Sequence, residues 1–314
     1  MGYPCRRPLQ EPKIILERSM KRIGFWLVKC VAYLIALTPF SLLYLKSDIY
    51  AFLLYHVVRY RRKVVRDNLV KSFPEKTTQE IKKIEKRFYR NLCDLFVEIC
   101  KLMRIKPDEL SRRVTFTNPE LLQSLYEKGR SVFTAIPHSG NWEWYGKLMH
   151  KASNHIVSAI YKKLKNPYFD VFMKRLRKNF DLDREEMIEA STALKSLVRR
   201  KDWLNAVLIV SDQSPRGVDS DYWTDFLHRD TCWFYGLEKM AKLLDYAVVF
   251  VEMKRKGRGR YSVTFHLICE DPQAMEEGAI MEQYVRHVER FIQENPDNWL
   301  WSHRRWKHTR QMQA

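Results

Sequence analysis

The chain has 314 residues, room for one large domain or two small ones, and 46% of them are hydrophobic, an ordinary figure for a folded protein that argues against disorder. Its 56 Lys and Arg against 37 Asp and Glu leave a formal charge of +19. That excess favours an anionic partner (nucleic acid, acidic lipid, phosphorylated substrate or acidic carrier protein) and does not choose among them.

Residues 1–19 are rich in Pro and charge and lack periodicity, so residues 1–22 read as an irregular extension. Met20, just before an apolar stretch, is a candidate start. Ile23 to Leu45 is the most hydrophobic segment and is about as long as a bilayer crossing requires. Lys29 sits near enough to one end to snorkel, and Pro39 bends the segment. No small-residue cleavage site follows, which fits an uncleaved anchor better than a secretory signal. Lys21 and Arg22 precede it, and a Tyr-rich stretch with Arg59-Tyr60-Arg61-Arg62-Lys63 follows. Aromatics and positive charge suit headgroup depth, so residues 23–66 read as a membrane-associated part. Spanning and lying on the surface both remain open, and the rival is a buried amphipathic helix pair.

Residues 67–314 read as one α/β domain. Thr77-Thr78-Gln79-Glu80 has the form of a capping box, and apolar residues from Ile81 to Leu102 recur at helical spacing to about Arg104. Strands are expected at Val114–Thr117, Val132–Ile136, Ile156–Tyr161, Val207–Ser211, Ala247–Met253 and Tyr261–Leu267. Helices are expected at Pro119–Glu127, Trp142–Lys151, Pro167–Asn179, Met187–Arg200, Trp233–Leu244 and Ile280–Glu294. Repeated β-then-α units imply a mostly parallel sheet flanked by helices. Lys254–Arg260, KRKGRGR, reads as a hairpin turn joining two antiparallel final strands.

The six cysteines form no C-x-x-C pair, and H-E-x-x-H is absent. Free thiols in a reducing compartment follow, and no metal or cofactor is inferred.

The stretch that concentrates chemistry is Ser131–His150. An apolar strand stops at Pro137, His138 opens a Ser139-Gly140-Asn141 turn, and a helix begins near Trp142 with Glu143 in its first turn. Ligands of open α/β sheets gather beyond strand ends, so this reads as a catalytic corner with His138 as base and Glu143 orienting it. The bare H-x4-E pattern is weak: about one is expected by chance in such a composition, and His266 to Glu270–Asp271 provides a second. Gly140, Asn141 and the helix start favour the first. Gly-x-Ser-x-Gly is missing, so a His–acid pair without a protein nucleophile suggests direct activation of a substrate hydroxyl, as in one-step acyl transfer.

His138-Ser-Gly-Asn-Trp-Glu143 resembles the H-x4-D/E block of the glycerolipid and lysophospholipid acyltransferase superfamily, and the chain most resembles the late lipid A acyltransferases. Arg62–Leu69 with Ser72-Phe73-Pro74, Tyr161 with Lys165–Asp170, Val210-Ser211-Asp212-Gln213, and Trp301–Lys307 match family blocks in order. The resemblance covers nearly everything after Met20. It implies a glycerol-3-phosphate acyltransferase-like fold with an N-terminal membrane-associated helix. It also implies transfer of a fatty acyl group from an acyl carrier protein thioester to a hydroxyl of an anionic glycolipid, at the cytoplasmic side of a bacterial inner membrane. Carried over by motif, His138 is the base, Glu143 its partner, Arg177 (with Arg175 second) the family's Arg, and Asp212 its Asp, with Asn141 and Lys162 also expected at the substrate. The family's Tyr-Arg-Pro is Tyr161-Lys162-Lys163 here, which keeps the charge but not a bidentate fork. The rival from another class is a membrane-tethered nucleic-acid-binding protein, for which the charge speaks but no motif does. Within the enzyme class, the same chemistry on another glycolipid, an aminolipid or a lysophospholipid is the alternative.

Overall fold

The computed structural model describes residues 12–178, 186–215 and 222–310. The N-terminal part is helical: α1 (Pro12–Leu37), α2 (Phe40–Phe52, continued by a π turn to Val57), α3 (Arg62–Ser72) and the long α4 (Thr78–Lys101). A short α5 (Pro107–Ser111) then leads to β1 (Val114–Phe116), α6 (Glu120–Glu127), β2 (Val132–Ile136), α7 (Trp142–Leu148), β3 (Ile156–Tyr161) and α8 (Pro167–Arg177). Next come β4 (Glu186–Glu189), α9 (Ala193–Val198), β5 (Asn205–Val210), the hairpin β6 (Tyr222–Asp225) and β7 (Asp230–Trp233), and α10 (Gly236–Leu244). The last elements are β8 (Ala247–Gly257), β9 (Arg260–Cys269) and α11 (Ala279–Glu294).

Seven strands form one sheet in the order β1-β9-β8-β2-β5-β3-β4. Every neighbouring pair is parallel except β8 and β9. All five residues of β2 are buried, as a central parallel strand covered on both faces requires. Phe133 and Ala135 join a core with Leu237 and Tyr284 of α10 and α11, whereas Val132 and Ile136 face Trp144, Tyr145 and Leu148 of α7. The mostly parallel sheet flanked by helices is thus as the sequence implies.

Thr77 caps α4 as its sequence predicts: its hydroxyl accepts from the Glu80 N–H at 3.3 Å, and the Glu80 carboxylate accepts from the Thr77 N–H at 2.8 Å. The final hairpin is also found, but its strands run further, so that only Arg258 and Gly259 turn.

Three expectations are corrected. Helical order begins at Pro12, inside the segment read as irregular, so Met20 lies within α1. Met187–Arg200 is not one helix: Glu186–Glu189 pairs with β3 as a parallel edge strand before α9 begins. Trp233 belongs to a strand, and α10 starts only at Gly236. Among the described residues no helix is long and apolar enough to cross a membrane. Pro39, which has no amide hydrogen to donate, divides Ile23–Leu45 between α1 and α2, and Lys29 interrupts the first piece. One side of the pair is packed: Phe25 sits against Tyr168, Phe169 and Phe172 of α8, and Ile35 and Leu43 share a core with Val97 and Cys100 of α4. Ile23, Leu27, Leu34, Leu45, Ile49 and Phe52 remain exposed.

Candidate active site

The register of the central strands assembles the site. β2 pairs with β5 so that Ile136 lies opposite Val210. His138 and Asp212 are each two residues beyond that pair, at the same edge of the sheet. The Asp212 carboxylate takes His138 Nδ1 on Oδ1 at 2.6 Å, and its Oδ2 accepts from the His138 backbone N–H at 2.9 Å and the Trp299 indole N–H at 2.7 Å. Asp212 is almost fully buried. Burial by itself raises its pKa, but the His138 imidazole, its hydrogen bonds and the Trp299 donor outweigh that and hold the carboxyl below its ordinary value. An acceptor on Nδ1 leaves the lone pair on Nε2, where the Gln213 amide nitrogen sits at 3.1 Å.

The turn behind His138 is fixed from outside. Gly140 has φ +57°, and a Cβ there would come within 2.9 Å of the Met253 carbonyl oxygen, so only glycine fits. Ser139 bridges to Trp299. The Asn141 side-chain oxygen Oδ1 accepts from the Trp144 N–H at 3.1 Å, capping α7, while its Nδ2 donates to Glu98 at 2.9 Å. Glu98, wholly buried, also accepts from Tyr44 at 3.0 Å and Tyr261 at 2.7 Å.

Glu143 occupies the first turn of α7 but does not orient His138. Its carboxylate is gripped side-on by Arg177, with Nε at 2.8 Å and Nη2 at 2.5 Å. Burial alone would lower the Arg177 pKa; the hydrogen bonds and charge of Glu143 reverse this and raise it, so the guanidinium stays charged.

His138, Glu143 and Arg177 all line a cavity of about 540 Å³. Its floor is apolar, with Gly146, Val157, Ala159, Leu208 and Val210, while Lys162, Lys174, Arg175 and Arg177 add cations to its lining. Of the expected substrate residues, Lys162, Arg175 and Arg177 therefore face the cavity. Asn141 and Asp212 do not: one caps a helix and the other backs the imidazole. The C-terminal Trp299 and Trp301 are buried. Trp299 binds Asp212, Trp301 donates to the Pro296 carbonyl at 2.6 Å, and buried Arg305 donates to the Cys232 carbonyl at 2.7 Å. Burial, against the pull of Asp212, pushes His303 down to about 4. It stays neutral near pH 7, so an imidazolium formed at His138 does not face a second one.

Sequence reasoning missed the roles of Trp299 and Gln213. For Gln213 the signal was at hand, because it follows Asp212 at the same strand end; for Trp299 there was none, because 87 residues separate it from its partner.

Fold and site together define a class of α/β protein in which a carboxylate-held imidazole opens onto an apolar cavity edged with cations. The chain belongs to the bacterial lipid A biosynthesis acyltransferase family, whose pattern matches residues 13–308. Membership marks it as an acyltransferase. Among curated proteins, none matches the chain.

Proposed function

We propose that the protein transfers a fatty acyl group from an acyl carrier protein thioester to a hydroxyl of a phosphorylated lipid A precursor, with His138 as general base. The observation that carries this reading is the 2.6 Å contact between His138 and Asp212 at the mouth of an apolar cavity, in a chain of this family. His138 Nε2 takes the proton of the acceptor hydroxyl as its oxygen attacks the thioester carbonyl. The tetrahedral oxyanion then collapses, the C–S bond breaks, and the leaving thiolate takes the proton back from the imidazolium. Asp212 fixes the tautomer and stabilises that imidazolium. The acyl chain lies along Val157, Ala159, Leu208 and Val210, and Arg175, Arg177 and Lys162 meet anionic groups of the substrates. No metal or other cofactor enters these steps.

Lipid mass spectrometry of a strain lacking the gene, with and without complementation, tests the acceptor. Loss of one acyl group from lipid A, restored by the wild type and not by His138→Ala, is the expected result. Unchanged lipid A with an altered glycolipid, aminolipid or lysophospholipid moves the same chemistry to that acceptor.

Attachment to the membrane is part of the same reading, as a surface helix pair rather than a span. The exposed apolar face of α1 and α2, with Arg59, Arg61 and Lys63 behind it, supports an interfacial seat on the cytoplasmic leaflet of the inner membrane. The double substitution Leu34→Asp with Leu45→Asp is expected to abolish sedimentation with anionic phospholipid vesicles while thermal stability is kept. Undiminished sedimentation would rule this face out.

A further inference from the structure

A second concavity, about 640 Å³, lies between α1 and α8. It is not part of the proton-transfer site, yet it adjoins it: Lys147 and Arg175 line both. Its walls are apolar. Phe25 stacks on Tyr168 with centroids 5.8 Å apart, Leu102 and Leu176 are buried beneath, and Trp26 and Val171 form its exposed lips. Two cations flank it. Lys29 stands over the Trp26 ring at 4.5 Å, and exposed Arg175 sits at the junction with the catalytic cavity. At the junction the Lys147 ammonium donates to the backbone carbonyls of Leu176 and Lys178, tying α7 to the end of α8.

The geometry points to this groove as the seat of a hydrocarbon chain of the acceptor lipid, with an anionic headgroup group held at Arg175 where the groove meets the catalytic cavity. The inference rests on the acyl-transfer reading and adds where the acceptor binds. Three observations favour the acceptor over the donor. Trp26 at its lip belongs to the exposed apolar side of α1, where Ile23 and Leu27 are its exposed neighbours, so a lipid enters the groove without leaving an apolar environment. The donor chain already has an apolar floor beside His138 in the first cavity. The cations flanking an otherwise apolar groove match a molecule that is hydrocarbon at one end and anionic at the other. The acceptor class that fits is a phosphorylated lipid that already carries acyl chains.

Steady-state transfer by the full chain in mixed detergent micelles tests this, with a phosphorylated disaccharide lipid as acceptor and an acyl carrier thioester as donor. Val171→Trp fills the groove and Val171→Asp charges it; the exposed position makes a folding failure avoidable, and thermal melting checks it. Both are expected to raise KM for the acceptor at least tenfold and to move KM for the donor less than twofold. Arg175→Ala is expected to raise KM for the phosphorylated acceptor and not for its dephosphorylated counterpart. An unchanged acceptor KM in both folded Val171 variants overturns the assignment, as does a rise in donor KM alone. Weaker vesicle sedimentation with unchanged acceptor KM also overturns it, because the groove would then hold only bilayer lipid. A wild type that acylates no lipid fails the acyl-transfer reading instead, and is seen before any variant is made.

Discussion

Asp212→Asn is expected to lower kcat for acyl transfer by about 10²- to 10⁴-fold with little change in fold. The reason lies in which oxygen does what. Oδ2 accepts from two donors, the His138 N–H and the Trp299 indole, so the single carbonyl oxygen of Asn is drawn to that position. Its NH₂ is then presented to His138 Nδ1, which must become an acceptor. The ring proton moves to Nε2, and the atom that should receive the hydroxyl proton already carries one. His138→Ala removes the base itself and is expected to cost at least as much. Kinetics with an acyl carrier thioester, alongside thermal melting of each variant, is the check. A folded Asp212→Asn enzyme with kcat within threefold of wild type would show that Asp212 is a structural partner only.

The second large effect concerns Glu143 and Arg177. The Glu143 carboxylate is nearly buried and Arg177 is about one-third exposed, so neither charge is cheaply left alone. Glu143→Ala strands a guanidinium at the cavity wall and is expected to destabilise the fold by about 1–3 kcal/mol, the lower end reflecting the water that still reaches Arg177. Adding Arg177→Met removes the stranded charge, and the double variant should recover most of that loss. Activity should not recover, because the cation facing the substrates is gone. Denaturant unfolding and turnover, measured on the two single variants and the double, separate the roles. Recovery of both stability and turnover in the double variant would reduce the pair to a strut.

What was legible in the sequence was whatever short-range pattern dictates. The apolar run Val132–Ile136, the capping box at Thr77 and the helix start at Trp142 each announce themselves within a few residues. His138 was legible for the same reason, standing where a strand stops and a turn begins. Its partner was misread because sequence proximity was taken for spatial proximity. Glu143 is five residues away but pairs with Arg177 at the cavity wall; Asp212 is 74 residues away and is brought in by strand register. Glu186–Glu189 gives too short a strand signal, with only Met187 and Ile188 apolar, and its strand form shows in the pairing to β3. The membrane segment was read as one piece bent at Pro39, whereas the chain around Pro39 divides it between two helices.

The buried carboxylate of Glu98 carries one more consequence. It receives hydrogen bonds from Tyr44 of α2, Asn141 of the catalytic turn and Tyr261 of β9, partners 54, 43 and 163 residues away along the chain. Such a knot has no local rehearsal: none of its strands of chain can satisfy the acid alone, and burying it unsatisfied is costly. The turn that carries His138 therefore takes its final shape only when the N-terminal helices, the long α4 and the last hairpin have all arrived. Acyl transfer by this protein is in that sense a certificate of complete assembly, withheld from any chain whose helical front has yet to dock.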